Sequence, residues 1–242
     1  MSLDAANLTK VYGGLRAVDG FSIRIDPGEI VGLIGPNGAG KTTSFDLLTG
    51  QTRPTSGTVT LDGREITGRT PWELAAMGVA RTFQHAASFH TLSAFENLMI
   101  ALAARNVIPR QSRRERALAV LASIAPDAPM SGAVRDLAYG IQRRVGIAIA
   151  LANEPQYILL DEPAAGLNPA ESAALGEAIK SIAEDGVGVL LVEHDLELVG
   201  RVVARVEVLS AGRLLYSGRP EDAMRDPAVL EAYIGRGKGK NA

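Results

Sequence analysis

Residues Glu29 to Thr42 constrain this chain more than any others. Glu29-Ile30-Val31-Gly32-Leu33-Ile34 reads as a buried strand. Gly35-Pro36-Asn37-Gly38-Ala39-Gly40 reads as a tight loop, and Lys41-Thr42-Thr43 as the opening of a helix. Glycines let the loop's backbone N–H groups turn inward, and the helix N-terminus adds positive potential, so the segment suits phosphate oxygens. At this spacing Lys41 reaches the β- and γ-phosphates of a nucleoside triphosphate, while the Thr42 hydroxyl is placed to ligate Mg²⁺.

A second apolar run, Tyr157-Ile158-Leu159-Leu160, ends in Asp161-Glu162. Buried strands of a parallel sheet are apolar throughout, and ligands gather beyond their carboxyl ends. Asp161 is thereby placed to support Mg²⁺, directly or through water, and Glu162 to orient or deprotonate a water near the γ-phosphate. Two further strands end in polar groups by the same logic. One is Val189-Leu190-Leu191-Val192, followed by Glu193-His194-Asp195; the other is Val79-Ala80-Arg81-Thr82-Phe83, followed by Gln84.

Strands are expected at Phe21–Asp26, Glu29–Ile34, Thr58–Leu61, Val79–Phe83, Tyr157–Leu160, Gly188–Val192 and Val206–Ser210, with helical patterns between many of them. Thr70-Pro71-Trp72-Glu73 and Ser93-Ala94-Phe95-Glu96 are capping boxes that open helices, and Gly78 closes the first. Such alternation predicts an α/β fold with a mainly parallel sheet. From about 86 to 153 the pattern turns helical, at Phe95–Arg105, Arg113–Ile124 and Ile141–Leu151, which predicts a helical subdomain inserted into a core of about 1–85 and 154–235. The whole makes one domain, with a frayed tail at 236–242. Arg110, Arg113, Arg114, Glu115 and Arg116 read as a solvated helix face, with a partner-binding patch as the alternative.

Between the phosphate loop and the run ending in Asp161-Glu162 lies Leu137-Ala138-Tyr139-Gly140-Ile141-Gln142. This hexapeptide resembles a degenerate LSGGQ signature of the ABC ATPases, a branch of the P-loop NTPases whose cassettes carry an N-terminal antiparallel β region. Ala138 stands where the serine would be, Tyr139 where the first glycine would be and Ile141 at the usual glutamine. Gly140 is kept, and Ile141 onward opens a helix whose N-terminal amides can face an anion. The resemblance implies that the signature, through Ala138, Gly140 and Gln142, grips the γ-phosphate of ATP bound to a second ATPase subunit. It also implies that His194 is the switch histidine and that Gln84 reaches Mg²⁺ and the water. Tyr12 would stack on adenine, and Ala164 to Asn168 would form the D-loop, with Asn168 where aspartate is common.

Several stretches are similar to the ATP-binding subunits of branched-chain amino-acid importers: Gly78 to Gln84, Leu92 to Asn97, Tyr139 in the signature, Glu162 to Pro169, and Val229 to Gly235. That likeness implies a homodimer, or a pair with a close paralogue, beneath two transmembrane permeases fed by a solute-binding protein. The expected place is the cytoplasmic face of the membrane. Composition agrees, because net charge is −2 and pI about 6.0, which disfavours nucleic acid. There is no cysteine, no apolar run of roughly 18 residues and no secretory layout from Met1 to Lys10. A lipopolysaccharide-export ATPase is the rival within the superfamily, set back by Thr82-Phe83-Gln84. A soluble, non-transport ABC ATPase is the other; the single cassette and acidic balance count against it.

Overall fold

In the computed structural model, which describes residues 1–82, 88–104 and 109–234, the apolar runs assemble into two sheets. The larger has the order β10-β9-β3-β8-β7-β6, built from β3 (Ile30–Ile34), β6 (Val79–Arg81), β7 (Tyr157–Asp161), β8 (Gly188–Val192), β9 (Arg205–Ser210) and β10 (Arg213–Gly218). Every pairing in it is parallel except the β9–β10 hairpin. The smaller sheet is antiparallel, in the order β2-β1-β4-β5, from β1 (Leu3–Tyr12), β2 (Leu15–Ile25), β4 (Ser56–Leu61) and β5 (Arg64–Glu65).

Alternation along the parallel strands divides the core. Val31, Leu33, Tyr157, Leu159, Leu190 and Val192 face the antiparallel sheet and helix α1 (Lys41–Leu48). Ile30, Ile34, Ile158, Leu160, Val189 and Leu191 face a layer of helices instead. That layer draws on α3 (Ala94–Ala104), α4 (Arg110–Ile124), α5 (Tyr139–Leu151), α6 (Pro169–Glu184) and α7 (Leu196–Val202). Because both faces are buried, β3, β7 and β8 carry no charged residue until they end, which is why the chemistry gathers there. Among the described residues no helix is long and apolar enough to cross a membrane.

The helix starts follow the capping chemistry. Helix α2 (Pro71–Ala76) has Thr70 at its N-cap and Glu73 bonding back to it, and Gly78, at φ 96°, follows its end. Ser93 and Glu96 make the same reciprocal bonds before α3. The Thr70 N–H, its hydroxyl and Arg69 hold the Glu73 carboxyl at about 2, against an ordinary 4.5. A depressed carboxylate stabilises the fold above its unfolded pKa and loses that contribution as pH falls through the folded value. A Glu73→Gln protein should therefore melt below the parent at neutral pH, with the gap closing as the pH approaches about 2; melting curves across this range test it.

The expectations differ from the structure in several places. The expected N-terminal antiparallel region is present, but β1 was not marked as a strand, since bulges between Ala5 and Val11 and the positive φ of Asn7 break its alternation. β2 begins six residues before Phe21, and β10 was likewise unmarked. Its hairpin turns through Ala211 and Gly212, both at positive φ (47° and 80°), and an alanine gives no turn signal. Finally, α5 starts at Tyr139 rather than Ile141, with Ala138 as its N-cap. The two short helices α8 (Pro220–Ala223) and α9 (Pro227–Ile234) complete the chain's described C-terminal end.

Candidate active site

Gly35 to Gly40 wrap the end of β3 as a loop opening into α1. Gly40 has φ 103°, and a Cβ there would lie 2.6 Å from the Ala17 carbonyl oxygen, so only glycine fits this approach. The Lys41 side chain turns back into the loop, its Nζ donating to the carbonyl oxygens of Gly35 at 2.7 Å and Pro36 at 3.2 Å. Burial lowers the Lys41 pKa, while the Glu162 and Asp161 carboxylates raise it. The ammonium thus sits at the centre of the loop, facing two acids.

A cavity of about 510 Å³ opens over this loop. Asn37, Gly38, Ala39, Gly40, Lys41, Thr42 and Thr43 line it, together with Glu162 and His194. Gly35 and Pro36 lie behind, as acceptors for Lys41. The cavity has further walls that sequence reading missed: Leu15, Arg16 and Ala17 at the start of β2, and Ala211 and Gly212 in the β9–β10 turn. Nothing local in the sequence placed those turns beside the loop. Tyr12 is outside this lining; it stands half-exposed at the end of β1 with the Lys10 ammonium 5.0 Å from its ring centre.

Adjacent parallel strands bring the reacting groups together. Asp161 pairs in register with Val192, so Glu162 and His194 emerge side by side. Glu162 has φ 46°, an uncommon backbone state for a residue other than glycine, and its N–H donates to the Val192 carbonyl at 2.9 Å. This turn aims its Oε1 at His194 Nε2, 2.7 Å away.

Asp161 is 8% exposed, on the α1 side of the sheet. Burial raises its pKa first, then the nearby Glu162 and Asp46 carboxylates; Arg81 and His194 pull the other way. Such crowded acids beside a phosphate loop fit a hard divalent cation. Among the described residues no three His, Cys, Asp or Glu side chains cluster as a metal cage of their own. Gln84, expected to join that set, lies outside the described residues.

Ala138, Gly140 and Gln142 do not line this cavity. Gln142 Nε2 donates to the Leu137 carbonyl at 2.8 Å, closing its own turn. Gly140 is buried against α6, its N–H donating to Glu171 Oε1 at 3.2 Å, and a Cβ would meet Glu171 Cγ at 2.8 Å. Tyr139 is 45% exposed, with the Arg143 guanidinium 4.8 Å from its ring centre. So the end of α5 forms a second polar surface on the same molecule, separate from the loop.

The sequence profile of the ABC transporter family matches residues 18–165, which span the loop, the hexapeptide and Asp161-Glu162. The chain belongs to the ABC transporter family. It is 40% identical to the high-affinity branched-chain amino acid transport ATP-binding protein BraF of Pseudomonas aeruginosa, over 96% of this chain and 97% of that one. With LivG of Escherichia coli, a protein of the same description, it shares 39% over 96% and 97%. The lipopolysaccharide export ATP-binding protein LptB of Escherichia coli is 35% identical over 97% of each. Among solved structures, the ADP conformation of the cassette MJ1267 superposes with a TM-score of 0.88 at 29% identity, over 98% of this chain and all of that one. A dimeric structure of the cassette MJ0796 gives 0.77 at 29%, over 90% and 98%. As an ABC cassette the chain binds nucleotide and serves as the ATP-hydrolysing subunit of a transporter complex.

Proposed function

We propose that this chain drives an importer of branched-chain amino acids or a related small solute. It would work as a dimer, with itself or a close paralogue, beneath two permeases at the cytoplasmic face of the membrane and fed indirectly by a solute-binding protein. The observation that carries the hydrolytic part is the Glu162–His194 contact of 2.7 Å at the wall of the cavity over the Lys41 loop. The importer assignment rests on the likeness to BraF and LivG, which exceeds that to LptB.

Lys41 and the loop N–H groups hold the β- and γ-phosphates. Thr42 and Asp161, with Gln84, would hold Mg²⁺, which when bound neutralises charge between those phosphates. Glu162 orients a water and takes its proton as the water oxygen bonds to the γ-phosphorus; the bond to the ADP oxygen breaks, leaving ADP and inorganic phosphate. His194 steadies the Glu162 carboxylate and contacts the γ-phosphate. Ala138, Gly140 and Gln142 of the second chain close the site from the far side, and Tyr12 stacks on adenine.

Phosphate release by the purified chain, and restored leucine uptake in a cell lacking its own importer cassette, test the two halves of the reading. Absence of ATP turnover even with permeases present would count against the first. Uptake that stays lost despite a working ATPase would count against the second.

Ala138 yields a separate prediction. It is the N-cap of α5 and makes no side-chain cap bond, so Ala138→Ser should stabilise the protein by about 1 kcal/mol. A serine hydroxyl donating to a γ-phosphate adds a bond of about 1.5–3 kcal/mol, so turnover should rise about tenfold to a hundredfold if that bond forms in the transition state. Melting temperature reads the first effect and steady-state ATPase rate the second.

A further inference from the structure

Glu193 has no part in the chemistry above, yet it stands directly behind it. It is the first residue after β8 and only 3% exposed. Alternation turns it away from the phosphate loop, toward the helix-side core that also takes Ala164. Its Oε1 accepts from the Ala164 N–H at 2.7 Å and its Oε2 from the His194 N–H at 3.0 Å. No salt bridge joins it to a cation among the described residues. Burial raises its pKa, and the backbone N–H groups offset part of that rise where no counter-ion stands.

The donors lie on two different loops. Ala164 is two residues past Glu162, and the other bond comes from His194. One side chain thus ties together the loop that carries Glu162 and the loop that carries His194. At the cavity wall those two residues meet only through their own 2.7 Å contact. Glu162 is also held at φ 46°, a state that lasts only where surrounding bonds impose it.

We infer that Glu193 is a positioning residue for ATP hydrolysis, its carboxylate clamping the loop after β7 to the loop after β8 and so setting the Glu162–His194 contact. This rests on the reading of Glu162 and His194 as the reacting pair. The clamp needs two acceptor oxygens. Glutamine offers one, and whichever way its amide turns, the NH₂ faces a backbone N–H. Aspartate keeps both oxygens on a shorter stem and cannot span the two loops equally well.

The test uses the purified full chain and four readouts: kcat, KM, affinity for a fluorescent ATP analogue, and melting temperature. Glu193→Gln should lower kcat about tenfold or more, leaving analogue affinity and KM within about twofold, because it touches no phosphate. Made in a His194→Ala background, the same change should cost less than about twofold, since the contact it sets is already gone. An unchanged kcat, an equal loss of affinity and turnover, or the full loss repeated in the His194→Ala background would each overturn the clamp. If the glutamine variant melts early, Glu193→Asp takes its place under the same criteria. Glu162→Gln is the control. Turnover surviving that change would sink the reacting pair itself, whereas turnover lost there and kept in Glu193→Gln would sink only the clamp.

Discussion

Glu162→Gln should bind ATP normally and turn over about 100-fold to 10,000-fold more slowly, the range by which a well-placed general base accelerates proton transfer. The amide keeps the size of the carboxylate and can still meet His194 Nε2, now 2.7 Å from Oε1, but it cannot accept the water's proton. ATP contacts that favour a closed pair of chains would then persist, so the variant should accumulate as an ATP-dependent dimer. Light scattering with and without ATP, beside a phosphate-release assay, measures both effects. Rapid hydrolysis would move the base elsewhere, and a monomer that ignores ATP would remove the sandwich.

Lys41→Ala should act one step earlier. Lys41 is 6% exposed, and its ammonium donates to the loop carbonyls and faces the two acids. Removing it withdraws at least two charge-assisted bonds to phosphate, each worth about 1.5–3 kcal/mol. At about 1.4 kcal/mol per tenfold, ATP affinity should fall about a hundredfold or more. The Gly35 and Pro36 carbonyls also lose their donor, so a modest drop in melting temperature should accompany the loss. Calorimetric titration with ATP separates this variant from Glu162→Gln, which keeps its affinity.

Local chemistry made most of the architecture readable. Continuous apolar runs ending in Asp161, His194 and the Gly35 loop marked the buried parallel strands, and two reciprocal capping boxes marked helix starts. What escaped was either irregular or distant. β1 was hidden by its bulges, and β10 by a turn that puts Ala211 where glycine is usual. Leu15 to Ala17 joined the cavity because the antiparallel sheet folds over the loop, a placement no window of sequence contains. The bond from Gly140 to Glu171 spans 31 residues, and that from Ala164 to Glu193 spans 29. Each depends on which helices and strands become neighbours, so residue type alone could not announce it.

The even and odd positions of β7 belong to different worlds. Tyr157 and Leu159 meet the antiparallel sheet, and Ile158 and Leu160 meet the helices. Asp161 inherits the odd side and so reaches the phosphate loop's face. Deleting one residue from this strand would shift the acid by about 3.3 Å and also turn it into the helical layer. Parity, as much as identity, therefore encodes the catalytic end of this chain. Point substitutions along β7 can be graded by size, but a change in its length has no mild form.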